Sequence, residues 1–145
     1  MKTRPIQILL VEDNPGDSEL AKMAFRDSTV SHKLAIVEDG ELALAYLRRE
    51  PPFERAQHPD LVLLDLNLPK LDGKEVLAII KQDPTLKRIP VVILTTSRAQ
   101  EDVLRAYDLH ANCYIQKPID MTQFTRVVRS IEDFWLGTVV LPPEV

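Results

Sequence analysis

Three short stretches of the chain, "IQILLV" (6–11), "LVLLD" (61–65) and "VVILT" (91–95), are almost unbroken apolar runs. A strand with one wet face alternates apolar and polar side chains. An unbroken run therefore marks a strand covered on both faces, as in a parallel sheet between two layers of helix. These three are expected to be the central strands. "KLAIV" (33–37) follows a polar segment and is placed nearer an edge, and "CYIQ" (113–116) is the most polar of the five. Between the runs, Leu20, Ala21, Ala24 and Phe25 share a helix face. So do Leu42, Ala43, Tyr46 and Leu47, then Val76, Ile79 and Ile80, then Val103, Ala106 and Tyr107. The last helix repeats Phe124, Val127, Val128 and Ile131 at a spacing of about 3.6 residues, with Phe134 and Trp135 extending it. Five β/α units in strict order predict an α/β fold: a doubly wound parallel sheet with helices on both faces.

Composition narrows the function classes. A chain of 145 residues, 45% hydrophobic and 28% charged, fits one domain with a real core. Net charge is −4, from 18 basic and 22 acidic residues, and no long basic run is present, so nucleic-acid binding is not expected. The single cysteine, Cys113, cannot form an internal disulfide, and residues 1–7 are too short and polar for a signal peptide. The apolar runs fall far short of the roughly 18 residues of a membrane span. A cytoplasmic chain is expected. Pro51, Pro52 and Pro59 bracket a long polar connection read as a surface excursion. Residues 1–135 are expected to form one domain and residues 136–145 an apolar extension, where Gly137 and the Pro142-Pro143 pair keep the helix from continuing.

The run at 61–65 ends in a carboxylate, and a lone charge buried there costs on the order of several kcal/mol unless something pairs with it. Asp65 is therefore either a cap at a strand end or a group held ready for chemistry. In open α/β sheets, ligands bind outside the carboxyl ends of the strands where the strand order reverses. If the first and third strands are neighbours, Glu12 and Asp13 land beside Asp65. Like charges that close push at least one pKa up unless a cation relieves them. Mg2+, a hard ion that takes carboxylates, a carbonyl, waters and a substrate phosphate, is the natural resident. Thr95, with Thr96 behind it, and Lys117 close the last two strands, and each can donate to a phosphoryl oxygen. In this reading Asp65 is a nucleophile that accepts a phosphoryl group in line and becomes an acyl phosphate, while Mg2+ and Lys117 neutralise charge.

At this point the chain resembles the receiver domain of two-component response regulators, over about residues 6–131. The resemblance implies a (βα)5 flavodoxin-like receiver fold with strand order 2-1-3-4-5. It implies Asp65 as phosphoacceptor, and a metal held by Glu12, Asp13, Asp65 and the backbone carbonyl of Asn67. Thr95 matches the switch hydroxyl, Tyr114 the switch aromatic, and Lys117 the phosphoryl-binding lysine. It also implies a cis Lys117-Pro118 bond, and makes Asn67 and Ser97 tuners of phosphoryl lifetime. Such a chain is a phosphoacceptor signalling protein rather than an enzyme. One departure stands out: many receivers lead into the fifth strand with Gly-Ala, whereas this chain reads "LHANCY" (109–114), with His110 in the glycine's place. The loop conformation there is left open.

A narrower likeness comes from "DLNLPKLDG", "RIPVVILTTS", "NCYIQKP" and "FWLGTVVLP". These are similar to the small stand-alone response regulators of cyanobacterial phytochromes, which are light-sensing histidine kinases, and imply a phytochrome-type kinase as partner. Output is then expected by contact, through the face made by the fourth helix, fifth strand and fifth helix as Thr95 and Tyr114 move. Phe134, Trp135, Leu136, Val139, Val140 and Leu141 are more apolar than a free tail should be, and a homodimer through the fifth helix and the tail is expected, centred on Phe134, Trp135 and Leu136. The alternative is a tail folded over its own domain. Three rival readings differ in class. An aspartate-based phosphohydrolase usually needs a second carboxylate where this chain has Asn67. A flavin binder would meet repulsion from "EDNPGD" (12–17). A receiver-like docking module that takes no phosphate would have no use for the acid, hydroxyl and lysine set.

Overall fold

The three unbroken apolar runs form β1 (Ile6–Val11), β3 (Leu61–Leu64) and β4 (Val91–Thr95), and every position of each is buried. The structure is a computed structural model that describes residues 5–28, 30–117, 120–136 and 140–143, without the Leu136 side chain. The remaining strands are β2 (His32–Val37) and β5 (Cys113–Gln116). The helices are α1 (Pro15–Arg26), α2 (Gly40–Leu47), α3 (Gly73–Gln82), α4 (Gln100–Asp108) and α5 (Met121–Ile131), the last running into a π-helical turn, Glu132–Leu136. All strands pair in parallel in the order β2-β1-β3-β4-β5, so the two least apolar strands are the two edges. This is the doubly wound, flavodoxin-like strand order expected from the sequence.

Alternate side chains of β1 feed two cores. Leu9 and Val11 pack with Ala43, Leu44 and Leu47 of α2, Val76, Leu77 and Ile80 of α3 and Ala106 of α4. Ile6, Ile8 and Leu10 pack with Ala21, Ala24 and Phe25 of α1 and Phe124, Val128 and Ile131 of α5. Register then sets the site. Val11 lies opposite Leu64, and the Asp65 N–H donates to the Val11 carbonyl at 3.2 Å, so Glu12 and Asp65 leave adjacent strands side by side. On the other side of β4, the Lys117 N–H donates to the Thr95 carbonyl at 2.6 Å, which brings residue 117 to the same edge.

Caps aim the helices. Asn14, Asp39 and Asp120 accept from the first turns of α1, α2 and α5, and Asp72 with Glu75 forms a capping box on α3. Two glycines let α2 and α3 descend onto the loop after β3. A Cβ on Gly40 would run into the Leu71 carbonyl oxygen, and one on Gly73 into that of Asp65.

The structure adds detail to three readings. Tyr107, grouped by spacing with Val103 and Ala106, is 48% exposed, and Ala106 is the one buried residue of α4. This helix rests beside the four-residue edge strand β5, which covers only a narrow stripe of it. The proline-bracketed connection runs over the surface as expected, with two ties to the body: Phe53 stacks tilted on Tyr46 at 5.2 Å, and the Asp60 carboxylate accepts from the Gln7 N–H at 2.8 Å. The tail is partly folded home, with Trp135 and Leu141 packed against the α1/α5 core while Phe134 and Val140 stay exposed. The Leu136 side chain, Gly137, Pro118 and Val139 lie outside the described residues, and with them the geometry of the Lys117-Pro118 bond. Among the described residues no helix is long and apolar enough to cross a membrane.

His110 settles the question its position raised. Its φ is 72°, the left-handed region, and it ends α4 as a glycine would. The His110 N–H donates to the Tyr107 carbonyl at 2.9 Å and the Ala111 N–H to that of Ala106 at 3.0 Å, the double bond of a Schellman ending. A side chain in that region costs roughly 1–2 kcal/mol, partly offset by its smaller unfolded-state entropy. His110→Gly is therefore expected to raise stability by about 0.5–1 kcal/mol, read as a higher urea midpoint with an unchanged slope.

Candidate functional site

Asp65 emerges from β3 at 6% exposure, its Oδ1 accepting the Asn67 N–H at 3.1 Å and its Oδ2 accepting from Lys117 Nζ at 3.0 Å. It is not a mere strand-end cap. Glu12 and Asp13 join it: one oxygen from each of the three carboxylates lies within 4.8 Å of the others, with Glu12 and Asp65 buried and Asp13 open to solvent. Three convergent hard oxygen donors with one side open are a donor set suited to a small divalent cation that keeps waters. Asn67 is exposed, two residues past Asp65, and its N–H donates to the Asp65 carboxylate.

Lys117 organises the buried half. Its Nζ donates to Glu12 Oε1 at 2.5 Å, Asp17 Oδ2 at 2.9 Å and Asp65 Oδ2 at 3.0 Å, with the lysine side chain only 3% exposed. Burial opposes the ammonium charge, but the bonds to Glu12, Asp17 and Asp65 outweigh it and hold the lysine above its usual range. Burial acts the other way on Glu12, whose carboxyl is pushed up to about 7 against the pull of Lys117.

The Thr95 hydroxyl is fully buried and has no hydrogen-bond partner among the described residues. An unpaired buried hydroxyl costs free energy, on the order of 1–3 kcal/mol, and is expected where a later ligand will use it. Tyr114 is half-buried, and its hydroxyl donates to the Ser97 carbonyl at 3.0 Å. The Ser97 hydroxyl donates to Asp102 at 2.6 Å, and Asp102 pairs with Lys74 at 2.7 Å. The loop after β4 is thereby tied to β5, α4 and α3 at once.

Phe134 and Trp135 sit far along the chain, stacked edge to face at 5.5 Å. A cavity of about 520 Å3 opens between Leu47, Pro59, Leu86 and Pro90, residues that flank the amino ends of β3 and β4, and it includes none of the site residues. The chemistry sits at the other end of the strands. Sequence reasoning missed Asp17. Its signal was the helix start: with Asn14 as cap and Pro15 first in the helix, Asp17 falls in the turn that overlooks the end of β1.

Comparison with known proteins agrees with this geometry. The response regulator receiver domain family matches residues 8–129. Response regulator Rcp1 of Synechocystis sp. is 51% identical over 138 residues, covering 95% of this chain and 94% of that protein. The crystal structure of Rcp1 in its Mn2+-bound form superposes with a TM-score of 0.91 at 51% identity, covering 96% of this chain and 100% of that one. That of the phosphorylated cyanobacterial phytochrome response regulator RcpA gives 0.92 at 54% identity, covering 97% and 100%.

The raised pKa of Glu12 has a definite sign. A carboxyl lifted from 4.5 to about 7 contributes its stability in full below 4.5 and loses it as the pH rises through 7. Glu12→Gln removes that loss. In EDTA, the stability of the variant relative to the wild type should move in its favour by on the order of 2 kcal/mol between pH 5 and pH 8, measured by urea unfolding at each pH.

Proposed function

This chain belongs to the response regulator receiver domain family, and we propose that it is a phosphoacceptor regulator whose Asp65 takes a phosphoryl group from a partner histidine kinase. The observation that carries the reading is the set of groups around one buried carboxylate. Asp65 is bonded to Lys117, shares a corner with Glu12 and Asp13, and lies across the sheet edge from an unpartnered Thr95 hydroxyl. A carboxylate oxygen of Asp65 attacks phosphorus, and the bond from phosphorus to the donor nitrogen or oxygen breaks, the leaving group keeping the electron pair. Lys117 offsets the charge that builds on the transferred group, and the Thr95 hydroxyl donates to one of its oxygens.

The residues present fit a divalent cation. Glu12, Asp13, Asp65 and the Asn67 carbonyl would hold Mg2+, which supplies charge neutralisation at the phosphoryl oxygens. Asn67, whose N–H donates to Asp65, and Ser97, two residues beyond Thr95, would set the lifetime of the acyl phosphate. A phytochrome is the kinase class favoured by the description of RcpA as a phytochrome response regulator.

Phosphorylation adds roughly −1.5 to −2 charge. Drawing Thr95 toward it shifts the following loop, and because the Tyr114 hydroxyl bonds the Ser97 carbonyl, the aromatic ring and the face of α4, β5 and α5 move with the loop. Phe134, 54% exposed at the end of α5, would serve as the contact with a second copy of the chain. That dimer is expected at tens of micromolar in sedimentation of the wild type and is expected to be lost in Phe134→Glu. Wild-type sedimentation as a monomer throughout would end the dimer reading.

Intact mass after incubation with acetyl phosphate and Mg2+ tests the central claim. The wild type should gain about 80 Da, the mass of one phosphoryl group, in a form labile to base. Asp65→Asn, or the wild type in EDTA, should gain nothing. A wild type that stays unmodified with acetyl phosphate and with histidine kinases alike would leave a docking module as the better reading.

A further inference from the structure

The ammonium of Lys117 has three protons and faces three carboxylate oxygens, those of Glu12, Asp17 and Asp65, at 2.5, 2.9 and 3.0 Å. Every donor is committed. Two of the three partners belong to the trio suited to a cation, and Asp65 is also the proposed acceptor. A divalent ion competes with Lys117 for Glu12 and Asp65, and phosphorylation turns the Asp65 carboxylate into an acyl phosphate whose negative charge lies on the phosphoryl oxygens. Asp17 stands outside the trio and keeps its charge throughout.

The position of Asp17 is itself fixed by a closed circuit of bonds. The Asn14 N–H donates to Glu12 Oε2 at 3.1 Å, and the Asp17 N–H donates to Asn14 Oδ1 at 3.1 Å. Lys117 Nζ, bonded to both Asp17 and Glu12, completes the ring across 100 residues of chain. The Asp17 backbone is thus held by its helix start, and its carboxylate, on a side chain 24% exposed against 3% for Lys117, reaches the lysine from that fixed point. A carboxylate carried on a fixed backbone can aim a long flexible side chain.

We propose that Asp17 is a positioning residue for phosphoryl transfer: it holds the Lys117 ammonium over Asp65 when the other two carboxylates are engaged by cation and phosphoryl group. The inference rests on the phosphoacceptor reading above. Asp17 touches neither phosphorus nor the metal trio; it acts through Lys117.

The test uses the full chain in two conditions. In metal-free protein, the Lys117 Nζ–H signals in 1H–15N NMR are expected to be protected from solvent exchange in the wild type and lost in Asp17→Ala. With Mg2+, Asp17→Ala is expected to take phosphate from acetyl phosphate about tenfold more slowly at saturation, with half-saturation by donor and by Mg2+ moving less than about twofold. Asp17→Asn, which retains an acceptor oxygen at the same reach, is expected to recover to within about threefold of the wild type. Wild-type or faster transfer in Asp17→Ala overturns the proposal. So does equal slowing in both variants with the Lys117 signals unchanged, which would assign the loss to the start of α1. If the wild type itself gains no mass, the phosphoacceptor reading fails separately, and the metal-free Lys117 signals still decide whether Asp17 is the anchor.

Discussion

The ammonium of Lys117, 3% exposed among the carboxylates of Glu12, Asp17 and Asp65, is the interaction on which the arrangement of the site depends. Withdrawing such charges from water carries a desolvation penalty that their mutual attraction often fails to offset, so a buried ionic cluster is weak evidence for stability. Breaking one up is nonetheless severe, because it leaves the remaining charges buried without a partner. The cluster therefore enforces one geometry: β1, β3, the start of α1 and the end of β5 must all arrive together. It also keeps a carboxylate poised beside a fixed positive charge, which is what a phosphoryl acceptor needs.

The sheet supplies the precision. Because β1 and β3 pair with Val11 opposite Leu64, the residues that follow each strand emerge as neighbours, and a slip of one residue would send each side chain into the opposite core. Gly73 completes the frame: with no side chain there, α3 can start against the Asp65 carbonyl, and its N–H donates to the Leu66 carbonyl at 2.9 Å. The loop after β4 is the contrasting part. α4 has no side-chain cap and buries only Ala106, and the loop is held by discrete polar ties from Tyr114, Asp102 and Lys74. Elements with little buried apolar area are the ones that rearrange at modest cost. The site thus has a deeply packed side on β1 and β3 and a lightly packed side on α4 and the loop after β4.

Much of this was legible in the residues. Unbroken apolar runs told central strands from edges, because burial on both faces leaves no polar alternation, and the carboxylates at 12, 13 and 65 were legible because strand ends in such a sheet share one crevice. Tyr107 shares a helix face with Ala106 yet is exposed, because helical spacing reports which residues share a face, not whether anything covers that face. His110 was ambiguous because left-handed backbone is chosen by a hydrogen-bonding pattern that needs the whole helix end. Asp17 was missed because an acidic residue in a helix's first turn is ordinary, and only the arrival of a lysine from 100 residues away gives it a second purpose.

The sequence by itself determined the alternation of strand and helix, the burial of the central strands and the identity of the groups at their ends, since these follow from local periodicity and from side-chain chemistry. Tertiary structure alone decided that Lys117 spends all three donors on carboxylates, that the Thr95 hydroxyl has no hydrogen-bond partner among the described residues, and that Trp135 and Leu141 pack at home while Phe134 does not. The reason is one of range. Periodicity acts over neighbouring turns, whereas ion pairing and burial depend on which distant segments are brought within a few ångströms, and that is settled only when the sheet has closed.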